Sequence, residues 1–409
     1  MDAAAVEDAA RRLDGVVRRS PVHRSERLSA RVEGEVWLKR EDLQVVRSYK
    51  LRGAYNLIAQ LSADERARGV VCASAGNHAQ GLAFACAALG VDGTVVLPRT
   101  TPRQKRDRIA ALGGAHVSVL LVGDTYDEAA AEAARFAEVS GATIVPAFDD
   151  PRTVAGQGTV VAEAFDQLDV VPDVVVVPVG GGGLMAGTVA WLSERHPAVQ
   201  VVGVEPEGAT SLAAALAAGE PVTLDALDTF VDGAAVRRVG DVPFSLLTDA
   251  EVVSVSAGRV CSEMLEYYQV EGIVTEPAGA LSAAALSVLD LPRGATVLCV
   301  VSGGNNDVSR YAEVVERALV FEGRKHYFLV EFAQEPGALR QFLDEVLGPD
   351  DDITLFEYVK RNNRETGPAL VGIELADAAD LLGLLARMEA APSTIEHLSP
   401  DSPLTRFLV

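Results

Sequence analysis

Three segments of this 409-residue chain combine glycine with small polar side chains, and a fourth sets a lysine beside an aromatic ring. They are SAGNHAQG (Ser74–Gly81), GGGG (Gly180–Gly183), SGGNN (Ser302–Asn306) and RSYKLRGAYN (Arg47–Asn56). The tetraglycine precedes a helix-period stretch, and glycine lets backbone N–H groups crowd around a small anion. Helix N-terminal amides carry partial positive charge, so a phosphate fits there without a basic side chain. No GK[ST] follows, so this is not a nucleotide-triphosphate loop, and a monophosphate is the economical ligand. SAGNHAQG also runs into a helix start, near Ala79. Its hydroxyl, amide and N–H groups suit a carboxylate in the same way. His78 in that loop is more often an orienting histidine than a base. One glycine loop after a strand is usually only a turn; three of them beside a special lysine are harder to dismiss.

The lysine stands out by composition. The chain carries 31 Arg against 5 Lys, yet position 50, between Tyr49 and Leu51 at a helix start, is a lysine. A lysine amine forms Schiff bases with carbonyl cofactors, and pyridoxal phosphate is the one bearing a monophosphate. Arginine cannot replace it, because a guanidinium stays protonated and is not nucleophilic. The plain alternative, an ordinary surface cation, stays open on counting alone.

These residues need elements to hold them. Apolar β-branched runs at Gly69–Ala73, Gly93–Leu97, His116–Leu121, Thr143–Pro146, Val174–Val179, Val199–Val204 and Thr296–Val301 read as strands. Helix-period stretches lie between them, at Ala79–Leu89, Pro102–Leu112, Asp127–Val139, Thr153–Gln167, Leu184–Glu194 and Pro277–Leu289. Continuous rather than alternating apolar runs are what a sheet covered on both faces requires. The alternation therefore predicts an α/β fold with parallel sheets, in two lobes with a cleft between them. The glycine loops follow strands, at the carboxyl ends where such sheets bind ligands.

Beyond about Phe321 the pattern changes. Strands at His326–Phe332, Ile353–Val359, Ala369–Leu375 and Thr394–His397, with a turn at Glu335–Gly337 and helices at Ala338–Leu347 and Ala378–Met388, give βαββαβ, the ferredoxin-like order. A boundary at Glu322–Lys325 leaves an α+β domain of about 85 residues.

Composition narrows the partners. A net charge of −22 and a pI near 4.7 argue against nucleic acid and anionic membrane. Residues 174–193 carry no charge, but four glycines and Pro178 break any spanning helix there. Cys72, Cys86, Cys261 and Cys299 are far apart in apolar settings, which predicts buried thiols in a reducing cytosol. The charged, amphipathic N-terminus is unlike a signal peptide. The expected localisation is cytoplasmic.

Together the motifs are recognisable. SYKLRGAYN, SAGNHAQG, GGGGL, TEPAGA (Thr275–Ala280) and SGGNN, in this order, resemble the serine/threonine dehydratase family of fold-type II (tryptophan-synthase-β-like) pyridoxal-phosphate enzymes, over residues 5–320. FAQEPGAL (Phe332–Leu339), ITLFEY (Ile353–Tyr358) and LVGIEL (Leu370–Leu375) resemble the single ACT-like regulatory domain of the biosynthetic threonine ammonia-lyases (threonine dehydratases). The resemblance implies a catalytic domain over 1–321, with a small lobe of about 53–150 inserted in a large one, and a regulatory domain over 325–409.

It also implies roles. Lys50 becomes the Schiff-base lysine beside Tyr49. Asn77 takes the cofactor's phenolic oxygen, Gly180, Gly181, Gly182, Gly183 and Leu184 wrap its phosphate, and Ser302 faces the pyridine nitrogen. A hydroxyl there leaves that nitrogen largely unprotonated, which favours prompt β-elimination. Ser74, Ala75, Gly76, Asn77 and His78 would dock the carboxylate of L-threonine, and the freed Lys50 amine would remove its α-proton. Loss of the β-hydroxyl and hydrolysis would give 2-oxobutanoate and ammonia. Glu276 would sit near the cofactor and help position or protonate groups, against the alternative of an ordinary salt-bridged carboxylate. Glu335, Pro336, Gly337, Ala338 and Leu339 would contact an effector, isoleucine or valine, unless this domain serves only oligomer contacts.

Two departures bear on alternatives. Serine racemases of the family carry a proton-transferring serine where this chain has Ala75. Their divalent-metal site lacks a second carboxylate here, since Ala209 and Ser211 follow Glu205, so no metal is expected. A homo-oligomer is expected, as a tetramer or alternatively a dimer. A catabolic serine/threonine dehydratase, a racemase and an amino-acid sensor with an inactive cofactor fold are the competing readings.

Overall fold

The computed structural model describes residues 1–358, 365–399 and 402–408; Val359, at the end of one expected strand, and Val409 lie outside them. The chain divides into two compact units: Met1–Ala257 with Val270–Asn306, and Gly258–Gln269 with Asp307–Val409.

The first unit holds ten strands. They are β1 (Val22–Arg24), β2 (Glu35–Arg40), β3 (Val70–Ala73), β4 (Gly93–Leu97), β5 (Val117–Leu121), β6 (Thr143–Ile144), β7 (Val174–Pro178), β8 (Gln200–Pro206), β9 (Glu251–Val255) and β10 (Thr296–Val301). Six form one sheet in the order β1-β2-β10-β7-β8-β9, parallel except for β1 against β2. The other four form a parallel sheet in the order β5-β4-β3-β6. Every residue of β7 and β10 is buried, as continuous valine runs demand of strands covered on both faces. Val175, Val177, Leu298 and Val300 pack with Met185 and Ala186 of the helix Gly183–Arg195. On the helix Pro277–Ala284, the Ser282 hydroxyl donates to the Val300 carbonyl at 2.9 Å.

Three strands escape the sequence pattern. β2 contains Lys39 and Arg40, which interrupt its apolar run, yet Lys39 is fully buried because Glu163 meets its amine at 2.5 Å. β1 has three residues, and β9 is a sheet edge with an exposed Glu251.

The second unit contains β11 (Lys325–Ala333), β12 (Asp352–Tyr358), β13 (Thr366–Glu374) and β14 (Thr394–His397), all antiparallel, in the order β12-β13-β11-β14. That is the ferredoxin-like arrangement expected of βαββαβ. The helices Ala338–Val346 and Leu381–Ala390 supply Phe342 and Leu384 to a core with Phe328, Val330, Phe332, Val371 and Ile373. The expected helix at 378–388 starts as a 3-10 turn, Ala378–Asp380, capped by Asp377. This unit also takes in Gly258–Gln269 and the helix Tyr311–Phe321, ahead of the boundary expected at Glu322–Lys325. Lys325 and Tyr327 of β11 both bind Glu316 on the helix Tyr311–Phe321, and Gly258 lies against Phe321.

Candidate active site

Lys50 is the first residue of the helix Lys50–Ile58. The chain enters that helix along the Ser302–Asn306 loop. Ser48 bridges Gly303, the Tyr49 N–H donates to the Ser302 carbonyl at 3.2 Å, and the Gly304 N–H donates to the Arg47 carbonyl at 2.9 Å. Arg47 takes a left-handed conformation, φ 55°, one of two non-glycine residues with positive φ among those described. Such strain persists only where surroundings over-determine the backbone, and it clusters at functional sites. Gly81, on the helix Asn77–Leu89, lets that helix touch the Lys50 helix; a Cβ there would lie 3.0 Å from backbone atoms of Lys50 and Leu51.

Arg52 secures the helix from below. It is 1% exposed and pairs with Glu41 at 2.8 Å and Glu163 at 3.0 Å. Lys39 adds its amine to Glu163, and Ser20 donates to Glu41 at 2.6 Å. Two cations and two carboxylates balance, so none is buried uncompensated. Arg52 is therefore structural, as expected of a guanidinium in a bidentate site.

The lysines differ in their partners. Of the four within the described residues, Lys39, Lys105 and Lys325 meet carboxylates, at 2.5, 3.3 and 2.6 Å. Lys50 meets none there; its Nζ donates to the Ala147 carbonyl at 3.3 Å and lies 5.2 Å from the Tyr49 ring centre. An amine without an ion pair has none to break before it reacts.

The Ala147 contact ties Lys50 to the glycine loop. Phe148, the next residue, covers Gly181 and Gly183, where a Cβ would come within 2.2 and 3.0 Å of its atoms. On the other side Gly180 lies against Ala234, and Gly182 has φ +86° next to Pro243. A Cβ would collide at Gly181 and Gly182 and would crowd its neighbours at Gly180 and Gly183. The helix begins at Gly183, and among the described residues no protein acceptor takes the N–H groups of Gly180 through Leu184. These unspent donors at a helix N-terminus form a cradle that fits a phosphate. Phe148 went unnoticed in the sequence, where a lone aromatic after the short β6 carries no signal.

Asn77 opens its helix with Gly76 as N-cap, two residues earlier than the sequence pattern places it. Its Nδ2 donates to Glu276 at 2.6 Å, and its Oδ1 accepts from Asn305 at 2.7 Å. Three segments far apart in sequence therefore meet at one amide. Ser302 is buried, and its hydroxyl donates to the Ala278 carbonyl at 3.2 Å. Ser74 accepts from the Gly76 N–H at 3.3 Å, while Ala75 brings no polar side-chain atom. His78 is buried with Nε2 2.7 Å from the Val145 carbonyl, and burial pushes its pKa down to about 4. A neutral imidazole bonded to backbone orients a loop.

Glu276 is not a salt-bridged surface carboxylate. It is 5% exposed, and burial, reinforced by nearby Asp232, pushes its carboxyl up to about 7. Glu205 is likewise raised to about 7 by burial, and its carboxylate accepts the N–H groups of Leu212 and Ala213 at 2.7 and 3.0 Å. In the second unit Glu335, Pro336, Gly337 and Leu339 are exposed, Ala338 is half-buried, and Gly337 caps the helix Ala338–Val346 with φ +102°.

Comparison with known proteins places the chain in a family. Residues 13–303 match the family model of pyridoxal-phosphate dependent enzymes, and residues 316–408 match the C-terminal regulatory domain of threonine dehydratase. The chain is 60% identical to the biosynthetic L-threonine dehydratase IlvA of Mycobacterium tuberculosis, over 100% of this chain and 96% of that one. The processed form of threonine deaminase isoform 2 from Solanum lycopersicum superimposes with a TM-score of 0.72 at 36% identity, covering 78% of this chain and 94% of that one. Maize serine racemase does so with a TM-score of 0.72 at 28% identity, covering 78% and 98%. The fold is thus the two-lobed, tryptophan-synthase-β-like one with a C-terminal regulatory domain. With matches running the length of both units, the chain belongs to the pyridoxal-phosphate-dependent enzyme family, in the branch that carries the threonine dehydratase regulatory domain.

Proposed function

We propose that this chain is a threonine ammonia-lyase that converts L-threonine to 2-oxobutanoate and ammonia, the first step of isoleucine synthesis, under control of isoleucine or valine. The observation that carries this reading is the link, through Ala147 and Phe148, between Lys50, which has no carboxylate partner among the described residues, and the cradle of unspent N–H groups at Gly180–Leu184. Pyridoxal phosphate, when bound, supplies an aldehyde that condenses with amines and a ring that spreads the electron pair left at an α-carbon.

The protein's groups divide the remaining work. Lys50 offers the amine that holds the cofactor and then acts as general base at Cα of threonine. Gly180–Leu184 hold the phosphate, Asn77 the ring oxygen and Ser302 the ring nitrogen. The residues Ser74–His78, at the start of the helix Asn77–Leu89, hold the substrate carboxylate against its N-terminal amides. His78, neutral and bound to Val145, keeps that loop in place. Ala75 has no proton to give to the opposite face of Cα, which favours elimination over racemisation. The β-hydroxyl leaves as water, taking up a proton in place of the one removed from Cα, and the released aminocrotonate adds water to give 2-oxobutanoate and ammonia.

Catalysis is assigned to residues 1–321 and regulation to 325–409, with Glu335–Leu339 on the effector. Among the described residues no helix is long and apolar enough to cross a membrane, and no cluster of three acidic, His or Cys groups is arranged for a metal. A cytoplasmic homotetramer suits a biosynthetic enzyme of this kind. Incubating the purified protein with threonine should yield 2-oxobutanoate, and isoleucine should lower the rate. Absence of product would overturn the assignment, and product formation indifferent to isoleucine and valine would overturn the regulatory part.

A further inference from the structure

The polarity of a side-chain amide is set by its neighbours, because its oxygen and nitrogen ends have the same shape. Around Asn77 the neighbours leave no freedom. The starting point is the Val46 carbonyl, an acceptor whose identity is beyond question. Asn305 reaches it at 2.7 Å, so the Asn305 atom there is the nitrogen. That nitrogen also lies 2.7 Å from Asn77, so the Asn77 atom facing it is the oxygen. The Asn77 nitrogen then faces Glu276 at 2.6 Å. One of its two hydrogens is spent on the carboxyl, and the other is free.

We propose that Asn305 and Glu276 are positioning residues that lock Asn77 with its free N–H toward the cofactor's ring oxygen, and that the charge on Glu276 sets how strong a donor it is. This rests on the cofactor role given to Asn77 above. The carboxyl itself has little room to move. A Cβ on Gly303 would lie 2.2 Å from its Oε1, and the Glu276 N–H donates to the Gly303 carbonyl at 3.2 Å. The same loop therefore places Asn305 and confines Glu276. The charged groups around it are Asp232, which opposes its ionisation, and Lys105, which favours it; the two pair with each other at 3.3 Å. With burial the leading influence, the carboxyl changes charge near neutral pH. An ionised Glu276 draws the shared N–H toward itself and strengthens a charge-assisted bond; a protonated one does not.

The readout is the visible absorption band of the holoenzyme from pH 6 to 9, with cofactor affinity measured by equilibrium dialysis. In the unsubstituted protein the band should shift with a midpoint near 7. Glu276→Gln keeps an oxygen for Asn77 but cannot ionise; it should abolish that midpoint while changing cofactor affinity by less than about threefold. Asn305→Asp keeps the shape but turns a donor into an acceptor, which reverses Asn77. It should displace the band and weaken cofactor binding by roughly tenfold. Asn305→Ser tests the same loss should the aspartate fail to fold. A Glu276→Gln band that titrates like the unsubstituted one would overturn the charge role. Unchanged spectrum and affinity in the Asn305 variants would overturn the lock. A band that survives Lys50→Ala would instead sink the cofactor assignment beneath both, so the two failures are distinguishable.

Discussion

The two candidate sites, one in each unit, handle polar groups in opposite ways. In the first, Glu276, Ser302, His78, Arg52, Glu41 and Lys39 are all buried, and each has a named partner. In the second, the loop assigned to the effector exposes Glu335, Pro336, Gly337 and Leu339 on an antiparallel sheet whose core is otherwise aliphatic and aromatic. Burial makes a polar group costly unless paired, but it also strengthens its interactions and fixes its direction. A site that moves protons needs that fixity. A loop that senses a small ligand needs only to be reachable and well shaped.

The strongest way to break the contrast is to remove the reacting amine. Lys50→Ala should lower 2-oxobutanoate formation by on the order of a thousandfold or more and abolish the yellow colour of the protein. Spectra and product assays check both. Substantial turnover without colour would mean that the buried groups are not built around this amine.

Next in size is the support beneath it. Arg52→Met leaves Glu41 and Glu163 facing each other with only Lys39 between them. Breaking a buried pair this way costs roughly 3–5 kcal/mol, to be read from urea unfolding of the holoenzyme. A loss below about 1 kcal/mol would mark the network as dispensable.

Gly181→Ala drives a methyl into the Phe148 ring. Overpacking of this kind costs about 1–3 kcal/mol, and it should appear as weaker cofactor binding because the cradle must open to accept it. Pairing it with Phe148→Leu should return part of the affinity, and no recovery would detach Phe148 from the cradle.

Burial also has a pH signature. Glu276 and Glu205 bind protons more tightly folded than unfolded, with carboxyls raised to about 7 from 4.5. The folded state therefore holds more protons between these values, and stability should fall as pH rises from about 4.5 to 7. Glu205→Gln should flatten part of that fall while leaving the Glu276 spectral midpoint in place. Denaturation midpoints across that range decide it.

What could be read in the sequence follows the same contrast. Lys50 and the tetraglycine announce themselves because their chemistry is local: one amine among guanidiniums, four residues without Cβ. The valine runs of β7 and β10 show because both faces are covered. The βαββαβ pattern of the second unit shows because each strand lies close in sequence to its helix. Hidden were the partners that burial brings from afar, such as Glu163 to Arg52 and Glu276 and Asn305 to Asn77. Those pairs span between about one hundred and more than two hundred residues, and no short-range period encodes them. β2 was hidden for the same reason, since Lys39 looks exposed until Glu163 is found beside it.

The smallest expected effect tests the exposed side of the contrast. Gly337 has φ +102°, a conformation that costs an L-residue on the order of 1–2 kcal/mol. Among the described residues no atom lies within 4 Å of where its Cβ would be, so Gly337→Ala meets strain but no collision with them. The strain can relax only by turning the peptide that leads from Pro336 into the helix Ala338–Val346. If this turn shapes the effector site, the isoleucine concentration for half-inhibition should rise several-fold, by more than the uninhibited rate changes. A buried site would answer the same strain with a loss of folding, because nothing around it can give. An unmoved inhibition midpoint would place isoleucine sensing on other residues of the domain, and the shape of this loop would then owe nothing to the ligand.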